Sequence, residues 1–292
     1  MKQAFLIIAH NNFEQLKILL SLLDNNKFSF FIHIDKKCKI DLNEIKNYCT
    51  KSDVYVYSEY DIRWATFSQT ICEIYLLEKA LETGDYEYFH LLSGVDLPLT
   101  DSNTIYNFFH TKNKEFVHFE SSSINNKKLE FVKYYYPLLK IKKFKNSKVL
   151  KGLNRVLVKL QKIIRIDRTK NSNICYYTGA NWFSITNEFA NYLISRKKFI
   201  IDQYKYSRNS DEMFLQTEIM NSKYKNNLYY NKMDNNYIAC MRYIDWNRGK
   251  PYTWTLNDFD ELIHSKFLFA RKFDWNIDKE IIIKIKEYIE NK

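Results

Sequence analysis

The sequence predicts an α/β protein with a mainly parallel central sheet flanked by helices and with one basic helical element inserted. Three observations predict it. Short continuous apolar runs, the mark of strands buried on both faces, occur at 4–9, 28–35, 54–58 and 86–93. Between them lie segments whose apolar residues recur at helical spacing, giving the β-α-β-α-β-α-β order that parallel strands require. The stretch from Lys140 to Lys170 then holds twelve Lys/Arg and one acid, Asp167, yet keeps a helical apolar period.

In order, AFLIIA (4–9) is the first strand, and Phe13, Leu16, Leu19, Leu20 and Leu23 mark the helix behind it. FSFFIHID (28–35) is the second strand, followed by a helical stretch through Leu42, Ile45 and Tyr48. VYVYS (54–58) is the third, FSQTICEIYLLEKALE (67–82) a strong helix and YEYFHLLS (86–93) the fourth strand. EFVHFE (115–120) reads as another strand. In the basic element, about 138–170, Leu150, Leu153, Val156, Leu157, Leu160, Ile163 and Ile164 carry the helical period. NWFSIT (181–186) is strand-like, helices follow at 187–197 and from about Asp211, a strand falls near 237–244, and a helix covers 278–290. Without internal repeats or a Pro/Gly/Ser linker, 1–292 reads as one domain.

Composition excludes several function classes. Apolar residues make up 46% and aromatic residues 17%, enough to build a core and to rule out disorder. Only five glycines occur, Gly84, Gly94, Gly152, Gly179 and Gly249, too far apart for a dinucleotide-binding turn or a P-loop. The five cysteines are scattered without a Cys-x-x-Cys pair, and the six histidines include no i, i+4 pair, so a structural zinc site is not expected. Free thiols fit a reducing compartment. The N-terminal apolar run is too short for a signal peptide, and no run of about 18 apolar residues spans a bilayer. The expected setting is therefore cytoplasmic.

Ligands of open α/β sheets sit beyond the carboxyl ends of the strands. Three such ends carry polar clusters here: Ala9-His10-Asn11, His33-Ile34-Asp35-Lys36-Lys37 and Ser93-Gly94-Val95-Asp96. Loops are polar anyway, but three clusters on neighbouring strands point to one pocket, where Asp35 can hold a ribose or base and nearby cations a pyrophosphate.

AFLIIAHNN, FIHIDKK, YFHLLSGVDLPL, GANWFSIT, SDEMFLQTEIMNS, RYIDW and LFARKFD occur in the order of the core-2/I-branching N-acetylglucosaminyltransferases, glycosyltransferase family 14. The chain resembles that family, its bacterial branch above all, over almost its whole length. The resemblance implies a GT-A-type fold and inverting, metal-free transfer from a UDP-sugar. It places residues 1–120 in a nucleotide-sugar-binding half and 121–292 in an acceptor-binding and catalytic half. Asp35 and the segment from Arg63-Trp64 through Ser68 to Gln69 then fall at the uridine, with Ala9, His10, Asn11 and Asp96 also at the donor. Glu212 matches the family's base and Lys272 its diphosphate lysine. Trp246 and Glu120 fall at the acceptor.

Inverting transfer needs a base for the acceptor hydroxyl and positive charge for the leaving diphosphate. The one Asp-x-Asp match that might hold a metal, Asp258-Phe259-Asp260, opens a helix, where acids complement the dipole and cap the first turn. Fixed cations are expected instead: Lys272 first, Arg248 or Lys250 second, and Arg271 as partner or surface charge. Ser210 and Asp211 read as a helix cap whose dipole lowers the Glu212 pKa. Trp182 and Phe183 fit a sugar-binding floor or core packing, as Lys133 and Tyr134–Tyr136 fit acceptor contact or packing.

The basic stretch offers a surface to anionic lipid or nucleic acid. Twelve cations against one acid is too lopsided for an ordinary mixed surface. Peripheral binding to the inner face of the cytoplasmic membrane, beside a glycan or lipid-linked glycan acceptor, is the preferred reading. A nucleic-acid-binding protein is the rival class that the +11 charge allows, but no RRM, KH or helix-turn-helix signature supports it and no nucleic acid is expected. UDP-xylose, UDP-glucuronate or UDP-galactose are the alternative donors.

Overall fold

The computed structural model describes residues 1–170 and 173–292. Its first 93 residues follow the expected alternation: β1 (Lys2–Ala9), α1 (Phe13–Leu23), β2 (Phe28–Ile34), α2 (Leu42–Lys46), β3 (Asp53–Tyr57), α3 (Phe67–Thr83) and β4 (Tyr86–Ser93). The β2 side chains are all buried, as its unbroken apolar run requires. The chain continues through β5 (Leu97–Pro98), α4 (Ser102–His110), β6 (Phe116–Val117), α5 (Asn126–Lys133), α6 (Lys148–Ile163) and β7 (Phe183–Thr186). It ends with α7 (Asn187–Ser195), α8 (Lys197–Tyr204), α9 (Phe214–Met220), β8 (Arg242–Ile244), α10 (Phe259–Ile263), β9 (Phe269–Arg271) and α11 (Lys279–Glu290).

The main sheet has the order β3-β2-β1-β4-β7-β6. Its first four strands are parallel, and β7 and β6 join antiparallel. Alternate residues of β1 feed two cores. Phe5 and Ile7 pack with α1 and α11 on one face; Ala4 and Leu6 pack with α3, α7 and α9 on the other. A second sheet, β5-β9-β8, was not foreseen because two- and three-residue strands leave no period to read. Arg242 pins it to the first sheet. Fully buried, it donates to Ser184 Oγ (2.8 Å) and to the carbonyls of Phe183 (2.7 Å) and Leu91 (3.2 Å).

Four elements differ from expectation for local reasons. The 115–120 strand shrinks to β6 because the 178–180 segment crosses the chain there: Glu120 N donates to the Thr178 carbonyl (2.9 Å) and Ala180 N to His118 Nδ1 (3.0 Å). The 187–197 helix breaks at Arg196 into α7 and α8. The 237–244 strand keeps only β8, since Met241 takes a left-handed conformation (φ 59°) incompatible with a ladder. The helix from Asp211 starts at Phe214 instead, after a 3₁₀ turn over Ser210–Glu212.

Candidate active site

A cleft of about 1080 Å³ opens beyond the carboxyl ends of β1, β2 and β4. Ile8, His10, Asp35 and Ser93 form its floor at the strand ends. Asp35 is nearly buried and accepts from Lys37 N (3.0 Å), while Lys37 Nζ bridges Asp35 (3.2 Å) and Asp61 (3.0 Å). Asp61 in turn takes Arg63 Nη2 at 2.6 Å, and these hydrogen bonds hold its carboxyl down at about 2. Arg63 Nη1 reaches across to the Lys140 carbonyl, tying this wall to the start of the basic element. Ser68 is off the wall. Its Oγ accepts from Arg63 N (2.8 Å), so it shapes the turn that presents Arg63 and the 70% exposed Trp64.

The cationic side is built around Arg271 at the end of β9. Asp96, almost fully buried, accepts Arg271 Nη1 at 2.8 Å and Ser93 N at 2.7 Å; Ser93 Oγ also accepts from Arg271. The guanidinium lies 4.3 Å from the Trp182 ring centroid, a cation–π contact that fixes its plane. Trp254 Nε1 and N hold the Arg271 and Lys272 carbonyls (2.9 and 3.0 Å). Lys250 lines the cleft, but Lys272 and Arg248 do not. Arg248 is spent on Asp245 (2.5 Å), Asp258 (2.7 Å) and Glu261 (3.1 Å). Asp258 also closes a capping box with Thr255. Asp96, Ala9 and Asn11 likewise stay off the wall; a Cβ on Gly94 would come within 2.8 Å of Ala9 Cβ, so Ala9 serves strand packing.

The cleft is also lined by Glu212, Glu120 and the half-exposed Trp246, while Trp182, largely buried, stays with Arg271. Glu212 is presented by the 3₁₀ turn. Its carbonyl accepts Gly179 N (3.0 Å), and its Oε2 accepts Asn209 Nδ2 (3.3 Å). The expected side-chain cap is absent: Ser210 Oγ instead pairs with Thr70 Oγ1 at 2.7 Å. The expected fall in the Glu212 pKa is also corrected, because burial raises it and outweighs the Asn209 hydrogen bond and the Lys128 charge. Asp211, which also lines the cleft, and the buried Glu73 are raised by burial too, with Glu212 charge pushing Asp211 and Asp211 charge pushing Glu73. Glu120 goes the other way. Burial opposes ionisation, but Lys128 Nζ (2.5 Å) and Thr178 Oγ1 (2.9 Å) donate to it and win.

Eleven of the site residues named from the sequence thus meet in one cleft: His10, Asp35, Arg63, Trp64, Gln69, Glu120, Trp182, Glu212, Trp246, Lys250 and Arg271. Lys37, from the second strand-end cluster, lines it too, and sequence reasoning passed over His118, Lys128, Asn181 and Tyr237, which line it as well. His118 stacks on Tyr237 (4.1 Å), and burial lowers its pKa to about 4, so it stays neutral. Its strand-end position was the available signal.

Gly179 holds this wall together. A Cβ there would lie 1.9 Å from the His118 carbonyl oxygen, so only glycine lets the two backbones cross. Gly179→Ala should lower Tm by several degrees, as overpacking by about 1–3 kcal/mol does, and should reduce turnover by displacing Glu212. An unchanged melting curve would refute this.

A mostly parallel sheet flanked by helices, with a nucleotide-sized polar cleft at its carboxyl edge, defines the GT-A-like glycosyltransferase fold class. The chain belongs to the Core-2/I-Branching enzyme family, whose model matches residues 3–265. It is 23% identical over 300 residues to xylosyltransferase 2 of Rattus norvegicus and of Homo sapiens, covering 96% of this chain and 32% of each relative. The Pan troglodytes protein of that name is 24% identical over 308 residues. The chain therefore spans about a third of the length of these relatives.

Proposed function

We propose that the protein is an inverting glycosyltransferase that moves a sugar from a UDP-sugar to a hydroxyl of a glycan acceptor, with N-acetylglucosamine as the donor sugar. The observation that carries this is that a half-buried carboxylate, Glu212, lines the same cleft as the cations Arg271, held by Asp96 and Ser93, and Lys250. Asp35 and the Arg63–Trp64 turn take the nucleoside, and Arg271 and Lys250 take the diphosphate. Glu212 accepts the proton of the acceptor hydroxyl as it attacks the anomeric carbon from the face opposite the leaving UDP. The attack forms the new glycosidic bond, breaks the bond to the phosphate oxygen and inverts the centre. Trp246 and Trp182 offer apolar faces to sugar rings, and Glu120 offers a fixed acceptor for sugar hydroxyls. A second donor, UDP-xylose, is favoured by the name of the relatives.

In this reading no metal ion or other cofactor takes part. The charge of the leaving group falls to Arg271 and Lys250. No helix of the described residues is long and apolar enough to cross a membrane; the basic stretch 140–170 is the surface by which the enzyme meets an anionic membrane. The test is a panel of UDP-sugars assayed for hydrolysis and transfer, with and without EDTA. Turnover with UDP-N-acetylglucosamine that EDTA leaves unchanged is expected. Preference for UDP-xylose selects the second donor, whereas activity that only Mn²⁺ restores, or no turnover with any donor, overturns the proposal.

A further inference from the structure

The basic element has a feature that charge alone does not explain. On α6, Val149, Leu153, Val156, Leu160 and Ile163 recur at alternating steps of four and three, so they form one ridge. That ridge faces solvent: Val149 is 79% exposed, Ile163 74% and Ile164, just past the helix, 67%. The helix is nevertheless firmly seated, by its other side. Gln161 is buried and exchanges two hydrogen bonds with the Tyr135 backbone (2.8 and 2.9 Å), and Val158 packs on Tyr134, Tyr136 and Leu139. An anchored helix that turns its apolar ridge outward is built to be covered by something else.

Charge identifies the cover. At about 100° per residue, Lys148, Lys151, Arg155 and Lys159 fall in a single band beside the ridge. All four are exposed, and none has an acidic partner among the described residues. A symmetric second copy would bring this band against itself, so like charges oppose self-association. An anionic bilayer satisfies both halves, taking the ridge into its interfacial zone and the cations among its headgroups. The same segment also reaches the cleft. Ile141, Lys142, Phe144 and Lys145, just ahead of α6, line it, and Arg63 is tied to the Lys140 carbonyl.

We infer that α6 lies in the plane of an anionic membrane with its apolar ridge inserted, bringing the mouth of the cleft to the lipid surface, so that the acceptor is an amphiphile glycosylated on its polar end. The acceptor half of this inference rests on the glycosyltransferase reading; the membrane half does not.

Co-sedimentation with phosphatidylcholine vesicles, with or without phosphatidylglycerol, tests it. The native chain should favour the anionic vesicles by about 10²–10³-fold at low salt. Leu153→Gln/Leu160→Gln should weaken that binding by about tenfold or more while leaving the circular dichroism spectrum and UDP-sugar hydrolysis unchanged. Exchanging Lys148, Lys151, Arg155 and Lys159 for Gln should erase the preference for anionic lipid. Equal binding by the ridge variant overturns insertion. A native chain that dimerises without lipid, through a ridge whose substitution restores monomers, assigns the ridge to a second copy and overturns it too, as does retention by an oligonucleotide without retention by vesicles. If vesicles bind but no UDP-sugar turns over, the membrane half stands and the acceptor half fails with the enzymatic reading.

Discussion

Glu212→Gln should lower transfer by about 10²–10⁴-fold, the usual contribution of a general base, while UDP affinity stays near native. The substitution keeps the shape and the Asn209 contact but removes the ability to take a proton. Burial already raises the Glu212 pKa, so the carboxylate is more basic than a solvent-exposed one. The acid limb of the kcat/KM profile should accordingly lie above the ordinary Glu range of about 4.3, with activity lost as pH falls through it. The same shift fixes the sign of the stability change. Between the unfolded and folded pKa values the native state holds more protons, so stability falls as pH rises through that window. Removing the carboxyl removes that penalty, and the Tm of Glu212→Gln at neutral pH should match or exceed the native value. A large loss of Tm would mean that Glu212 is a structural group; near-native turnover would send the search for the base to Glu120.

The first half of the fold was legible because each strand of a parallel sheet is buried on both faces and must be apolar throughout. β1, β2 and β4 are continuous runs, and α1 and α3 carry the helical period between them. β5 and β9 were not legible and β8 only as part of a longer 237–244 strand, since two or three residues hold no period, and the sheet they form is joined to the first through Arg242, remote in sequence from the carbonyls it binds. The site divides the same way. His10, Asp35 and Lys37 were found because strand ends are readable, whereas Lys128 and Asn181 act through partners brought in by folding. The Glu212 pKa was misjudged because the sequence shows the helix that follows it but not the walls that bury it. The Arg248 charge is absorbed by three acids, Asp245, Asp258 and Glu261, whose convergence exists only in three dimensions.

Arg271 carries the second large effect. Arg271→Gln should cost about 2–4 kcal/mol of transition-state stabilisation, the range for losing one fixed oxyanion donor, which is about 30- to 1000-fold in kcat/KM. Arg271 is the cation whose geometry is most constrained: Asp96 and Ser93 hold one nitrogen, Trp182 supports its face, and it lines the cleft. Preorganised charge needs no reorganisation as the diphosphate leaves, which is why a fixed guanidinium can stand where another enzyme uses an ion. The single variant also strands Asp96, a 1% exposed carboxylate, and breaking a buried pair from one side costs about 3–5 kcal/mol of stability. Folding and catalysis are separated by adding Asp96→Asn, which removes the unpaired charge. The double variant should recover most of the lost Tm and none of the lost kcat/KM. Lys272→Ala is the comparison, because the neighbouring lysine was the first choice from sequence and its side chain stays off the cleft wall. Its loss should be smaller than that of Arg271→Gln. A Lys272→Ala defect larger than that of the double variant would move the diphosphate site to the residue just past β9, and recovery of activity with Tm would reduce Arg271 to a structural partner of Asp96.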